Sequence, residues 1–324
     1  MKRPNILWIM SDQHHAEAWG RFRPEVKTPN LDALARDGAV LTRAYCNNPI
    51  CAPSRVSFIT GQYPHTHGIM GNDIFHMEDR NPDTLSSLFQ RSGYQTALIG
   101  KGHMVRQWDQ EGFEHIRYCD LCDTDREEPL SCHYFKYLKD QGLADQYDLG
   151  SLASSHPGSS MRAFTSRIPE KHSVETWTGD ETLSFLESRD ASRPFFVQMS
   201  FQRPHEPLTI PSDTLLSYDP TSLPLPASAD DLFTKQFAAH HPTMRAHATL
   251  SRGYPYRPDD KADLQRQLAH YYSLVTAIDA QIGRVVASLK KSGDYDSTVI
   301  VYHADHGDFA GDHGLMLKNM GLFE

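Results

Sequence analysis

The chain has 324 residues, of which 39% are hydrophobic and 23% charged, and this composition is typical of a globular protein. No apolar run approaches the length of about 18 residues that a membrane span requires, so we expect no membrane partner. A formal net charge of −9 argues against a general nucleic-acid binder, and five cysteines are too few for a disulfide scaffold.

The N-terminal residues predict a first strand. Asn5 to Met10 form a short apolar run of the kind that is buried on both faces of a parallel sheet. The run ends at Ser11 and Asp12 and lacks the small-residue cleavage site of a signal peptide. We therefore expect a cytoplasmic protein.

Helix and strand patterns then alternate along the chain, with Thr28 expected as the N-cap of the first helix. This alternation predicts βαβ units, and hence an α/β fold with a mostly parallel sheet. In chain order the predicted elements are a helix from Pro29 to Gly38, a strand at Val40–Tyr45, a helix from Asp83 or Thr84 to Arg91, a strand at Thr96–Ile99, a helix at Val174–Glu187, a strand at Phe195–Phe201, a long helix from about Lys261 to Lys290 and a strand at Ser297–Tyr302.

Two stretches do not fit the alternation. Residues 115–171 and 211–260 are rich in Ser, Pro, His, Asp and Tyr, and we interpret both as long insertions. Insertions of this length commonly line a site or an interface.

Ionisable residues follow four of the predicted strands directly. Ligands of open α/β sheets bind beyond the carboxyl ends of the strands, so the pattern predicts one polar cleft. Solvated turn residues are the alternative interpretation for any one of these positions. The residues are Asp12, Lys101 with His103, His205, and Asp305 with His306.

The sharpest local motif is CAPSR at 51–55, which continues to TGQYPH at 60–65. Pro53 suits the first turn of a helix and Gly61 suits its end. Cys51 then lies at a helix N-terminus, with Arg55 on the same helix face. The residues alone predict a reactive thiolate beside an arginine, and a buried structural cysteine is the alternative.

The pattern C-x-P-S-R followed by T-G-x-Y-P-H resembles the signature of the type I sulfatases, the formylglycine-dependent enzymes of the alkaline-phosphatase-like superfamily. Five further segments resemble the family's other conserved blocks, in the family's order, between Pro4 and Lys318. They are RPNILWIMSDQ, GYQTALIGKGH, RPHEP, YYSLVTAIDAQIGRVVASL and VIVYHADHGDFAGDHGLMLK.

The resemblance implies an alkaline-phosphatase-like sandwich, in which helices flank a large, mostly parallel central sheet. We expect residues 1–324 to form the family's N-terminal catalytic domain, truncated near residue 324 and without the C-terminal subdomain.

The resemblance also implies one divalent cation. Its ligands would be Asp12, Asp305, His306 and an oxygen of residue 51 after Cys51 is oxidised to formylglycine, with Gln13 as a weaker candidate. Two carboxylates suit a hard cation, so we expect Ca²⁺, with Mg²⁺ as an alternative. Mn²⁺ is the other alternative, because His306 stands where many relatives have Asn and an imidazole favours a softer ion.

The family roles of the remaining site residues carry over by position. Arg55, Lys101 and Lys318 would bind the sulfate oxygens and the formylglycine hydroxyl. His103 would hold the nucleophilic diol or help to break down the sulfated intermediate. His205 is the expected general acid at the leaving oxygen, and Asn72 is the expected substrate contact.

The resemblance therefore implies a sulfuric ester hydrolase that acts on a small-molecule or oligosaccharide sulfate, such as a sugar or aryl sulfate. Its expected partner is a formylglycine-generating maturation enzyme, and homo-oligomerisation stays open. One alternative is a phosphonate monoester or phosphodiester hydrolase of the same superfamily. Such relatives tend to carry hydroxyl residues in place of the pair Lys101 and His103. The other alternative is an inactive binding protein.

Overall fold

A computed structural model of the chain describes residues 3–72, 83–103, 112–120, 132–147, 163–214, 217–229, 261–312 and 317–318. The strands in these residues are β1 (Asn5–Asp12), β2 (Gln95–Gly100), β3 (His115–Tyr118), β4 (Phe164–Thr165), β5 (Phe195–Pro204), β6 (Thr209–Ile210) and β7 (Thr298–Ala304). The α-helices are α1 (Pro29–Asp37), α2 (Cys51–Thr60), α3 (Pro64–His67), α4 (Leu85–Arg91), α5 (His133–Asp140), α6 (Val174–Ser188) and α7 (Lys261–Ser292).

Five of these strands form one parallel sheet in the order β3-β2-β5-β1-β7, and β4 pairs with β6 in a separate parallel ladder. The α/β fold and the four strands β1, β2, β5 and β7 are therefore confirmed. β3 lies inside the stretch that was predicted to be an insertion, and it pairs with β2. The rest of that stretch lies partly outside the described residues, as does most of the second predicted insertion.

The predicted strand at Val40–Tyr45 is wrong. The structure describes this stretch and gives it no strand. Leu41 is 80% exposed and Tyr45 is 79% exposed. With its large side chains in solvent, the stretch has no buried face to pair against a sheet.

Helices cover both faces of the central sheet, and β5 is buried along its whole length. Successive side chains of a strand point to opposite faces. Phe195 packs in a cluster with Ile282 of α7 and Phe185 of α6, whereas Phe196 packs in a cluster with Val56 of α2. The sheet therefore forms the middle layer of a sandwich.

Helix α1 is capped from a distant part of the chain. The Thr28 side chain makes no capping hydrogen bond and instead accepts from the backbone N of Gly20 at 2.9 Å. Asp279 of α7 accepts from the backbone N of Asn30 at 3.2 Å and from that of Leu31 at 2.8 Å. Thr28 is the N-cap residue, as the sequence predicts, but its side chain does not cap the helix. A carboxylate from α7 satisfies the free N–H groups of the first turn instead.

Among the helices that the described residues form, none combines the length and the apolar character needed to cross a bilayer.

Candidate active site

Strands β1 and β7 bring two carboxylates together at one edge of the sheet. Asp12 is the last residue of β1, and Asp305 comes directly after β7. Ser11 and Ala304 are register partners, and the backbone N of Asp305 donates to the carbonyl of Ser11 at 3.1 Å. Because the two strands are parallel, their carboxyl ends meet, as the sequence predicts.

Helix α2 places Cys51 at the same point. Cys51 is the first residue of α2 and is fully buried. The backbone N of the next residue, Ala52, donates to Oδ1 of Asn72 at 3.1 Å. Asn72 therefore satisfies one of the free N–H groups at the start of α2. Its predicted contact with substrate stays a prediction.

Four donor side chains form a compact buried cluster. Ligand atoms of Asp12, Cys51, Asp305 and His306 all lie within 4.8 Å of one another. Nε2 of His306 lies 3.1 Å from Sγ of Cys51 and 3.6 Å from Oδ1 of Asp305. Nδ1 of His306 is 2.9 Å from the carbonyl of Gly307. A carbonyl only accepts, so Nδ1 carries a proton and Nε2 is the nitrogen that faces the cluster.

This donor set fits one divalent cation. Two carboxylates and an imidazole suit a cation between hard and borderline character. The soft sulfur of Cys51 occupies the place where an oxygen would complete the set after oxidation. The structure thus brings together the four ligands expected from the sequence.

Arg55 holds both carboxylates of the cluster. Its Nε donates to Oδ2 of Asp305 at 2.7 Å, and its Nη2 donates to Oδ2 of Asp12 at 3.1 Å. Its Nη1 donates to the carbonyl of Lys101 and to Oγ of Ser200, both at 3.0 Å. These protein acceptors occupy all three nitrogens of a fully buried guanidinium. Arg55 therefore orients the carboxylates, and its predicted contact with the sulfate oxygens stays a prediction.

Two lysines contact the cluster. Lys101 is buried and forms an ion pair with Asp12. Nζ of Lys318 lies 3.2 Å from Sγ of Cys51 and also donates to the amide oxygen of Gln13. Both residues lie beside residue 51, where the sequence predicts cations.

The charges of these neighbours change the acidity of the cluster. Burial by itself raises the pKa of the Cys51 thiol, but Lys318, Lys101 and His306 outweigh burial and hold that pKa well below its usual value. Burial likewise raises the pKa of Asp12, but Lys101, His205 and Arg55 together bring it below its ordinary value. The cluster is therefore built to stabilise negative charge at Asp12 and at residue 51.

Gln13 has protein partners for both ends of its amide. Its Nε2 donates to Asp308 and, at 3.3 Å, to Oε2 of Glu206. Its Oε1, which is the atom that could ligate a cation, accepts from Lys318. We therefore leave Gln13 out of the proposed ligand set.

The two histidines expected to act in catalysis flank the cluster. The backbone N of His103 donates to Oδ2 of Asp120 at 3.1 Å, and the His103 side chain contributes a hydrogen bond that lowers the pKa of Cys51. Nδ1 of His205 lies 2.7 Å from the carbonyl of Glu206 and 3.1 Å from Oε2 of Glu206. Nδ1 of His205 therefore carries a proton, and Nε2 is the nitrogen left to exchange one.

Residues 4–321 match the model of the family described as Sulfatase. The chain belongs to the sulfatase family. It is 30% identical over 333 residues to an arylsulfatase of Clostridium perfringens, an alignment that covers 98% of this chain and 66% of the relative. It is also 30% identical over 343 residues to the multifunctional alkaline phosphatase superfamily protein PehA of Trinickia caryophylli, again with 98% and 66% coverage.

A solved structure, the phosphonate monoester hydrolase of Agrobacterium radiobacter, superimposes with a TM-score of 0.78 at 26% identity, covering 99% of this chain and 66% of that one. The alkaline-phosphatase-like fold expected from the sequence is thereby confirmed. The chain spans just under two thirds of the length of these relatives.

Three residues that support the candidate site are not among those predicted from the sequence. Ser200, inside β5, accepts from Arg55, and Asp120, after β3, fixes the backbone of His103. Glu206 contacts both His205 and Gln13. A polar residue inside the apolar strand Phe195–Phe201 was the signal available for Ser200. Asp120 lies in a stretch that is predicted to be an insertion, and no local sequence pattern indicates a role for it.

Proposed function

We propose that this chain hydrolyses sulfate esters at the cluster formed by Asp12, Cys51, Asp305 and His306. The observation that carries the proposal is the meeting of these four ligand atoms within 4.8 Å, next to the buried Lys101 and the half-buried Lys318. When both groups are present, a divalent cation held by these residues supplies positive charge and formylglycine at position 51 supplies a nucleophilic hydroxyl.

The charges of the chain's own residues suit an anionic ester. Lys101, Lys318 and Arg55 set three positive charges against the two carboxylates of Asp12 and Asp305. Arg55 is occupied by those carboxylates, so Lys101 and Lys318 are the proposed contacts to the sulfate oxygens. Cations that are already in place stabilise developing charge without reorganisation of solvent.

His205 is the proposed general acid. Its Nδ1 donates to the carbonyl of Glu206, which fixes the ring and leaves Nε2 to deliver a proton to the departing alcohol oxygen. The carboxylate of Glu206, 3.1 Å from Nδ1, is a second partner for the same face of the ring. His103, beside residue 51, is the proposed group that handles the proton of the nucleophile.

Sugar or aryl sulfates are the proposed substrate class, and a formylglycine-generating enzyme is the proposed maturation partner. Ca²⁺ is the proposed cation, with Mn²⁺ and Mg²⁺ as alternatives. The named arylsulfatase relative supports the aryl sulfate part of this proposal.

Hydrolysis of phosphonate monoesters or phosphodiesters is the second candidate. The similarity to a phosphonate monoester hydrolase favours it. The residues favour sulfate, because Lys101 and His103 stand where such relatives tend to have hydroxyl groups. An inactive binding protein would keep the fold without turnover.

The test is to co-express the chain with a formylglycine-generating enzyme and to analyse the peptide around residue 51 by mass spectrometry. Turnover of 4-nitrophenyl sulfate is then compared with that of the 4-nitrophenyl ester of phenylphosphonate and of a bis-aryl phosphate. We expect an aldehyde at position 51 and a higher kcat/KM for the sulfate. Cys51→Ala should abolish turnover, and the matched variant Cys46→Ala should not. Full activity with an unmodified thiol, or a higher kcat/KM for the phosphorus esters, would contradict the proposal.

A further inference from the structure

A buried arginine holds the segment that carries His205. Nη1 of Arg203 donates to the carbonyl of His205 at 3.0 Å and also to the carbonyl of Pro207. Nη2 of Arg203 donates to Oγ1 of Thr209 at 2.9 Å. One guanidinium thus contacts three points of the five-residue segment 205–209, at His205 itself and on the far side of Glu206.

Arg203 is in turn anchored to a helix. Its Nε lies 3.5 Å from Oε1 of Glu175, in the first turn of α6. Both side chains are buried, and both line a cavity next to Tyr134 and Gln202. A buried charge needs a partner, so Glu175 fixes where the guanidinium lies relative to the body of the protein.

The backbone that Arg203 holds also sets the direction of the His205 ring. Nδ1 of His205 donates to the carbonyl of Glu206, and this carbonyl lies between the two carbonyls that accept from Arg203. If the segment shifts, the acceptor of Nδ1 shifts with it, and Nε2 turns away from its target. A displacement of about 1 Å is enough to lower a catalytic rate about 10²-fold.

We propose that Arg203 is a positioning residue for His205, held in place by Glu175. The inference rests on the proposed function in one respect, namely that His205 acts as the acid. The hydrogen bonds that carry it do not depend on any substrate. Neither Arg203 nor Glu175 has been given a role in the proposed reaction above.

The first test compares leaving groups in the matured enzyme. Arg203→Met should lower kcat about 10²-fold for an alkyl sulfate and clearly less for 4-nitrophenyl sulfate, whose leaving group needs little protonation. Arg203→Lys, which keeps the charge opposite Glu175, should retain part of the rate. The matched control is Arg189→Met, which breaks the ion pair of Arg189 with Asp294 at the far end of α6. The control should leave the dependence on leaving group unchanged.

A double-mutant cycle separates positioning from loss of stability. Once His205 is replaced by Ala, there is no acid left to position, so adding Arg203→Met should cost little further activity on the alkyl sulfate. Losses that multiply in the double variant, or that are equal for both leaving groups, would overturn the proposal. If Arg203→Met does not fold, Arg203→Lys and Glu175→Gln carry the same comparisons.

A second readout needs no activity. With ¹⁵N-labelled histidine in the unmodified protein, the His205 signals should report a proton on Nδ1 in the parent protein and in Arg189→Met. Arg203→Met should shift them toward mixed tautomers. Unchanged signals would overturn the positioning role. If the parent protein hydrolyses no sulfate ester, the proposed function fails, while this spectroscopic result still decides the role of Arg203.

Discussion

Nε of Arg55 donates to Oδ2 of Asp305 at 2.7 Å, in the interior of the protein, and the same guanidinium reaches Asp12 through Nη2. The arginine of the C-x-P-S-R motif thus keeps two like charges together. In the sequence, its spacing of four residues from Cys51 indicates only a shared helix face.

We predict that Arg55→Met lowers the free energy of unfolding by about 3–5 kcal/mol when no divalent cation is added, since it leaves buried carboxylates without compensation. A divalent cation bound between Asp12 and Asp305 should restore part of that loss. Urea denaturation with and without added Ca²⁺ measures both effects. An equal loss in the two conditions would contradict the role assigned to Arg55.

Removal of divalent cations by chelation should abolish turnover of a sulfate ester, and readdition of single ions should identify the one that restores it. Asp305→Asn should retain less metal by elemental analysis, because it removes one charge from the proposed ligand set. Asp296→Asn, at a position beside β7 that is not part of the cluster, is the matched control. An Asp305→Asn protein with full metal content would show that the ligand set is wrong.

His205→Ala should lower kcat by about 10²–10⁴-fold for alkyl sulfates, the range typical for loss of a general acid. The loss should be much smaller for 4-nitrophenyl sulfate, whose oxygen departs without a proton. Steady-state kinetics over a series of leaving groups checks this. Equal losses across the series would remove His205 from the role of acid.

Asp279→Ala should destabilise the fold by about 1–2 kcal/mol, because it leaves the backbone N–H groups of Asn30 and Leu31 without an acceptor. Asp279→Asn keeps one acceptor oxygen and should lower the free energy of unfolding by less. Thermal and urea unfolding of the two variants give the comparison. If Asp279→Ala and Asp279→Asn lower the free energy of unfolding equally, Asp279 does not act as the cap of α1.

His67 should make the protein less stable in mild acid. Its Nδ1 accepts from the backbone N of Ile69 at 3.1 Å, and its Nε2 is 2.9 Å from Oγ of Ser57, which donates to Pro53. The ring is therefore neutral, and burial lowers its pKa below 6.5.

As the pH falls below about 6.5, the unfolded chain binds a proton at this site that the folded chain does not, so stability is lost. The free energy of unfolding should fall less between about pH 7.5 and about pH 5.5 in His67→Asn than in the parent protein. An identical fall in the two proteins would assign the acid sensitivity to other groups.

Much of the fold could be predicted from the sequence, because the buried strands are short apolar runs that stop at charged residues. β1 and β7 begin within one residue of their predicted starts. The same rule missed β3, whose four residues are all only half-buried, and it missed β4 and β6, which have two residues each. Such strands depend on their partners and carry little apolar pattern of their own.

The site could be predicted as a set of residues but not as a set of contacts. Residue types and order identify Asp12, Cys51, Asp305 and His306. The partners of Arg55 and Gln13 and the capping carboxylate of α1 could not be predicted, because they involve residues that are distant in the chain. Asp279, whose carboxylate caps α1 in place of the Thr28 side chain, lies about 250 positions further along than Thr28.

The complete burial of Cys51 constrains the order in which the chain folds and residue 51 is modified. Side chains from β1 and from the segments after β7 enclose its sulfur. The segments after β7 can enclose the sulfur only after the C-terminal part of the chain has folded. Under the proposed oxidation of Cys51, an enzyme that needs access to this side chain would act on a nascent or opened chain. Maturation would then compete in time with folding, and a variant that folds faster could carry less of the active residue.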